Sequence, residues 1–351
     1  MNSLCAKMIE TMGIRVFASM NKKKSDEHIF QQCSSLKANE IKAIYSKIKV
    51  FKKCENFNKP IVLSTKVLKD VEIRTCSMES RYKPIEAYEP LYKTFAENQT
   101  IYFEHITSKK KSKKEKIALI YLHGFSERDY KNEINFLFPR LMSTSNPIEI
   151  LAVHLPFHML RSPKNQPYSG AYLFDSCPIV TIEGMRQAVD DVSQILSYGQ
   201  TIYSKVMVGG FSLGGHVTSF LGTCDNRADL YIMGQAGAKL PQSLKELPVC
   251  PGLNAKKDTW ISGGQDFESL YDPIELLNYK PLIPKNKVVS IAGLHDRLIT
   301  YERVSDLRDF YMSEYPIDYK SGHMGLLFEW KTVMESLFPI MDKVVTYNEK
   351  I

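Results

Sequence analysis

The stretch Ser204-Lys-Val-Met-Val-Gly-Gly-Phe-Ser-Leu-Gly-Gly-His216 decides how the rest of the chain is read. An apolar run ending at Val208 meets two glycines, then Ser212, then two more glycines and a helix-compatible segment. This predicts a strand, a sharp turn and a helix, with Gly210-Phe211-Ser212-Leu213-Gly214 as G-x-S-x-G. The glycines have a steric purpose, because a serine held in a strained turn leaves no room for flanking side chains against the next strand and helix. Its hydroxyl then stands above the sheet edge, and the Leu213 N–H at the helix start is free to face an oxyanion. Glycine-rich strand–helix turns also bind phosphate or simply pack tightly, so the pentapeptide needs partners before it implies catalysis.

Those partners follow in order. A serine hydroxyl is a poor nucleophile at neutral pH and needs a base, which itself needs orientation. Asp296 lies in Ala292-Gly-Leu-His-Asp-Arg-Leu-Ile299, directly after a predicted strand Val288–Ala292. His323 lies in Lys320-Ser-Gly-His-Met-Gly325, directly after the last predicted strand, near Ile317–Tyr319. Upstream, the buried-type run Ile117–Leu122 runs straight into His123-Gly124-Phe125, which places the Phe125 N–H as a second oxyanion donor.

Outward from this centre, strands alternate with helices. Strands are expected at Ile61–Leu68, Val71–Cys76, Thr100–Thr107, Ile117–Leu122, Ile148–Leu155 and Leu230–Gln235, besides those above. Helices are expected at Lys131–Met142, Pro178–Tyr198 and roughly Gly325–Met341. The alternation predicts an α/β fold, a mostly parallel sheet with helices on both faces. Between Ala236 and Lys285 it lapses, and six of the 17 prolines sit there, the mark of an insertion and a candidate lid over residues 236–285. Residues 1–58 read as an N-terminal helical extension to a domain over 59–351. Within the extension, Ser34 or Ser35 could cap a helix with an apolar stripe of Ile41, Ile44, Tyr45, Ile48 and Phe51, lysines filling much of the rest. Such a helix either packs its stripe on the domain or makes peripheral contact with an anionic membrane.

Taken together, these motifs resemble the α/β-hydrolase superfamily over roughly residues 100–345. The stretches Leu155–Pro163, Ser169-Gly170 and Thr181–Ala188 further look like its branch of the abhydrolase-domain-containing-18 type. The resemblance implies Ser212 as nucleophile, His323 as general base, Asp296 as its orienting acid, and Phe125 and Leu213 as oxyanion donors. It implies a serine hydrolase cleaving a carboxylic ester, small or lipid-like, with no cofactor or metal. Acyl transfer, thioester or peptide cleavage by the same triad, and a binding module on the scaffold, stay open.

Several residues carry second readings. Asp266 could replace Asp296 as the acid, although it does not follow a predicted strand. His154 and His158 have i, i+4 spacing, but Pro156 between them disfavours a helix that would converge them on a metal. Arg161 and Tyr168, in the loop after a strand, are candidate substrate-binding residues, a structural salt bridge being the other role for Arg161. His216 is expected packed or solvated in the elbow helix, and His295 is too close to Asp296 in sequence to form the oriented pair.

Composition bounds the remainder. The net charge of +7 is mostly local: residues 109–116 hold six lysines and one glutamate, so 6 − 1 = +5 of it, a solvated run with no interleaved aromatics and no case for nucleic acid. Seven scattered cysteines without C-x-x-C pairs are expected to be free thiols in a reducing compartment, hence a cytoplasmic location. Glu10 and Arg15 interrupt the apolar character of the first twenty residues, which argues against a signal peptide.

Overall fold

In a computed structural model, residues 3–20, 37–68, 71–109, 116–142, 148–174, 177–246, 251–264 and 266–346 are described. Nine strands form one sheet: β1 (Ile61–Leu68), β2 (Val71–Glu79), β3 (Thr100–Ser108), β4 (Ile117–Leu122), β5 (Ile148–Val153), β6 (Lys205–Phe211), β7 (Leu230–Gly234), β8 (Val288–Gly293) and β9 (Tyr315–Tyr319). Their order is β1-β2-β3-β5-β4-β6-β7-β8-β9. The first three strands and the β3–β5 junction are antiparallel, and every later pair is parallel. This is the mostly parallel sheet expected from the alternation. All nine strands fall where apolar runs predict them, displaced by a few residues at their ends.

The sheet separates two cores. Along β4, Ala118, Ile120 and Leu122 face one, while Ile117, Leu119 and Tyr121 face the other, the period of two that a strand covered on both sides must show. The first core is covered by the helix Pro178–Gly199 and the elbow helix Leu213–Leu221, the second by Phe138–Met142 and Leu326–Thr346.

The helix Pro178–Gly199 is less amphipathic in its surroundings than its sequence suggests. Its polar residues Glu183, Asp190, Asp191 and Gln194 are buried as well. Segments before β3 wrap over them: Glu183 accepts hydrogen bonds from the Tyr45 and Tyr82 hydroxyls at 2.9 and 2.6 Å, and pairs with Arg186. Buried polar groups need such partners. The helix Ala38–Tyr45 accordingly turns Ile41 and Tyr45 into the first core. Its candidate caps Ser34 and Ser35 lie outside the described residues, as does most of the lysine run.

Three further differences have physical causes. The predicted helix Lys131–Met142 contains a π-helical turn at Glu133–Leu137, immediately ahead of Pro139, which has no N–H to continue an α-helical ladder. The 236–285 segment roots itself in the domain, with Phe267, Leu270, Tyr271 and Ile274 buried in the first core, a packing that the lapse in alternation did not reveal. The free-thiol expectation fails at Cys177, which is disulfide-bonded, whereas Cys54, Cys76 and Cys224 are free. Pairing depends on which cysteines the fold brings together, and spacing does not show that. No helix among the described residues is long and apolar enough to cross a membrane.

Candidate active site

Parallel registry brings the chemistry to one edge. Leu122 of β4 pairs with Gly210 of β6, Phe211 with Gly234 of β7, and Gly293 of β8 with Tyr319 of β9. The loops carrying Phe125, Ser212, Asp296 and His323 therefore leave the sheet side by side, at the carboxyl ends of the strands where open α/β sheets place ligands.

Ser212 bridges β6 and the helix Leu213–Leu221 with φ 55° and ψ −116°, a conformation side-chain-bearing residues adopt only under strain. Its N–H donates to Gly234 O at 2.8 Å, and its carbonyl accepts from His216 N at 3.0 Å, so both ends of the turn are tied. A Cβ on Gly210 or Gly214 would fall far inside contact distance of the Leu122 carbonyl. The glycines of G-x-S-x-G are thus required by the adjacent strand.

His323 Nδ1 lies 2.8 Å from Asp296 Oδ2. The other oxygen of Asp296 accepts from Leu298 N and Ile299 N at 2.9 and 2.8 Å, which fixes the carboxylate in one orientation. That arrangement makes Nδ1 the protonated nitrogen and leaves Nε2 as an acceptor. Burial opposes a charge on His323, yet the Asp296 charge and hydrogen bond, with Glu10 adding to them, outweigh it and raise its pKa above the ordinary histidine value. Gln235, at the end of β7, donates to the His323 carbonyl at 2.9 Å and to the Tyr319 hydroxyl at 2.6 Å. Asp266 is elsewhere: it precedes the short helix Phe267–Leu270 and accepts from Ser269.

The loop after β4 is braced by two buried histidines. His123 Nδ1 donates to Gly124 O at 2.7 Å while Nε2 accepts from Leu155 N at 3.0 Å. His158 Nδ1 donates to Pro156 O at 2.8 Å while Nε2 accepts from Ser126 N at 3.2 Å. Both nitrogens of each ring are engaged as in a neutral imidazole. Burial lowers both pKa values, that of His158 to about 4. The N–H groups of Phe125 and Leu213 have no hydrogen-bond partner among the described residues.

Ser212, His323, Phe125 and Leu213 open on one cavity of about 620 Å³. Its walls are mostly apolar, with Phe17, Phe136, Phe174, Leu298 and Trp330 among them, and from the 236–285 segment Leu240 alone among the described residues. His216 reaches the same cavity. It is buried with neither ring nitrogen hydrogen-bonded, and burial pushes its pKa down to about 3.

The two substrate-binding candidates are not at this cavity. Arg161 is fully buried, paired with Asp191 at 2.8 Å and donating to Asn98 O and His154 O at 2.8 and 3.2 Å. A guanidinium so enclosed is structural, and the substrate-binding expectation for it is corrected. Tyr168 packs edge-on against Phe125, centroids 6.2 Å apart, and does not line the cavity. His154 lies 3.6 Å from Glu104, and among the described residues no cluster of three metal-type ligands occurs.

Three contributors were not singled out as site residues from sequence: Gln235, Phe17 and Glu10. Only Glu10 left a local trace, as a charge interrupting an apolar stretch.

No family model matches the chain, and no curated protein matches it. Solved structures do. An acetyl xylan esterase from Paenibacillus sp. R4 superposes with a TM-score of 0.55 at 13% identity, covering 92% of this chain and 98% of its own. A peroxisomal alpha-beta-hydrolase from Saccharomyces cerevisiae gives 0.52 at 14% identity, covering 81% and 92%. An acetyl xylan esterase from Thermoanaerobacterium sp. gives 0.55 at 13%, covering 93% and 98%. Identities this low speak to architecture alone. The chain has the α/β-hydrolase fold.

Proposed function

We propose that this protein is a serine hydrolase cleaving a carboxylic ester, with an acyl or lipid-like substrate. The observation that carries the reading is the Asp296–His323 hydrogen bond, with His323 and Ser212 both lining one apolar cavity. In this reading the substrate carbonyl enters beside Ser212. His323 Nε2 takes the hydroxyl proton as Oγ bonds to the carbonyl carbon, and the Phe125 and Leu213 N–H groups hold the resulting oxyanion. Collapse breaks the bond to the leaving alkoxide, which receives the proton from His323, and leaves an acyl-enzyme. Water, deprotonated by His323, then attacks the acyl carbon, and the acid departs as Ser212 regains its proton. The unpartnered N–H groups and the strained serine suit this task, because donors fixed in advance need no reorganisation when charge develops.

The apolar walls support an acyl chain over a polar group. Membership of the abhydrolase-domain-containing-18 branch belongs to the same proposal, on the Leu155–Pro163 and Thr181–Ala188 stretches. Peripheral contact with a lipid surface is also part of it, now through the helix Ser3–Met20, since Ile41 and Tyr45 of the basic helix expected to make it are buried. Along the helix Ser3–Met20, the exposed residues Leu4, Met8, Met12 and Val16 recur every four positions, and Phe17 of that helix lines the cavity.

The test is a series of p-nitrophenyl esters of increasing acyl length, with wild type and Ser212→Ala, repeated with a competing alcohol. Hydrolysis lost in Ser212→Ala, with longer acyl chains preferred, supports the reading. Alcohol esters as main products would make the protein an acyltransferase. No turnover of any ester by folded wild type would remove the esterase reading.

A further inference from the structure

The helix Ser3–Met20 is almost three hundred residues from the acid and base in sequence, yet Glu10 is fully buried against their loops. Glu10 Oε1 accepts from the N–H of Arg297, the residue after Asp296, at 3.1 Å. Glu10 Oε2 accepts from the N–H of Met324, the residue after His323, at 2.8 Å. One carboxylate therefore spans the loop after β8 and the loop after β9.

Neighbouring residues are shaped around this contact. The position a Cβ would take on Gly322 is already filled by the Glu10 carboxyl, so glycine is needed there. A Cβ on Gly13 would stand 2.5 Å from Met324 Cβ, so a second glycine lets the helix lie against the base loop. Arg297 Nη1 donates to Thr11 Oγ1 at 3.1 Å, and Phe17 meets Phe125 edge-on at 6.4 Å between centroids. The helix thus touches the acid, base and oxyanion loops together.

We propose that Glu10 is a positioning residue, clamping the Asp296 and His323 loops in one frame so that the N-terminal helix is part of the active site. The inference rests on the serine-hydrolase reading above. A buried carboxylate is costly unless hydrogen-bonded, and an apolar residue of similar size would fill the space without that cost. What an apolar residue could not do is hold two separate backbone N–H groups at a fixed separation, or favour the imidazolium that forms at His323 during the reaction. The titratable groups facing His323 are Asp296, Glu10 and His216, and Tyr319 also faces Glu10.

The experiment compares full-length wild type with Glu10→Gln. The amide keeps the size but turns an N–H₂ toward one of the two donors and removes the charge. Rates of labelling by a fluorophosphonate and of ester hydrolysis are measured against pH, with deuterium exchange read at residues 294–299 and 321–326. The proposal expects kcat to fall by about 10- to 100-fold with KM nearly unchanged, the scale of a small misplacement of reacting groups. It expects the acidic midpoint to move down, and Arg297 and Met324 amides to exchange faster. A stability loss with the same kcat and midpoint would reduce Glu10 to a structural prop and overturn the proposal. If the variant does not fold, wild-type exchange decides: protected Arg297 and Met324 amides support the clamp, and unprotected ones remove it. Wild type that never labels at Ser212 instead removes the underlying hydrolase reading, so the two failures are separable.

Discussion

Replacing Asp296 by asparagine probes the geometry most sharply, because both oxygens of this carboxylate are in use. Oδ1 holds two N–H donors, Leu298 at 2.9 Å and Ile299 at 2.8 Å, and Oδ2 holds His323 Nδ1 at 2.8 Å. An amide has one oxygen. If it faces the two backbone donors, its N–H₂ faces His323 Nδ1, which must become the acceptor, and the proton moves to Nε2. The imidazole then presents a proton to Ser212 in place of a lone pair. If the amide flips, its N–H₂ meets two donors, each left unsatisfied at about 1–3 kcal/mol. The first arrangement wins, so the variant should fold and fail in catalysis, with kcat lower by about 10⁴. The acid limb carries a second signature. On the proposed hydrolase reading the active form of His323 is neutral, so the rate rises with pH through its pKa, which Asp296 holds above the ordinary histidine value despite burial. Removing that charge should move the midpoint down. The assay is kcat/KM for an activated ester from pH 5 to 9, with thermal melting as a folding control. A folded Asp296→Asn enzyme within tenfold of wild type, with the midpoint unmoved, would refute this reasoning.

Three further outcomes follow from the packing. Gly214→Ala should cost at least about 100-fold in kcat, the loss seen when one oxyanion donor is displaced, because its Cβ would collide with the Leu122 carbonyl; steady-state kinetics and melting together check it. Arg161→Met should destabilise by about 3–5 kcal/mol in urea denaturation, since it leaves buried Asp191 unpaired. A second change, Asp191→Leu, should recover much of that loss. Burial and the nearby Glu127 charge raise the Glu133 pKa to about 7. Its ionisation therefore costs more in the folded chain than in the unfolded one, a cost absent at pH 4 and complete above pH 7. Glu133→Gln should match wild-type stability near pH 4 and exceed it at pH 8 by up to about 3 kcal/mol, read from denaturation midpoints at the two pH values.

The parts of the fold that local pattern controls were legible. Continuous apolar runs such as Ile117–Leu122 mark strands covered on both faces, and glycine spacing marks the elbow, since both are demands the chain meets within a few residues. The loops after β8 and β9 could be located in the same way, and with them Asp296 and His323, which the fold brings within 2.8 Å of each other. Contacts that join distant segments leave no such mark. Glu10 meets Arg297 and Met324 across separations of 287 and 314 residues, and by sequence alone it is a charge in a helix. Arg161 looked free to meet a substrate because nothing near it in sequence announces Asp191. The polar residues of the helix Pro178–Gly199 give no local sign of burial, because their cover comes from residues more than eighty positions away. His123 and His158 carry no motif as a pair; only the turn at Pro156 brings both rings against the loop of Phe125.

The most direct measurement is covalent labelling of the intact protein with a fluorophosphonate, read by whole-protein mass and by mapping the modified peptide. One adduct is expected, on Ser212, absent in Ser212→Ala and slowed in both His323→Ala and Asp296→Asn. Folded wild type without an adduct, or an adduct on another residue that persists in Ser212→Ala, would contradict the serine-hydrolase reading.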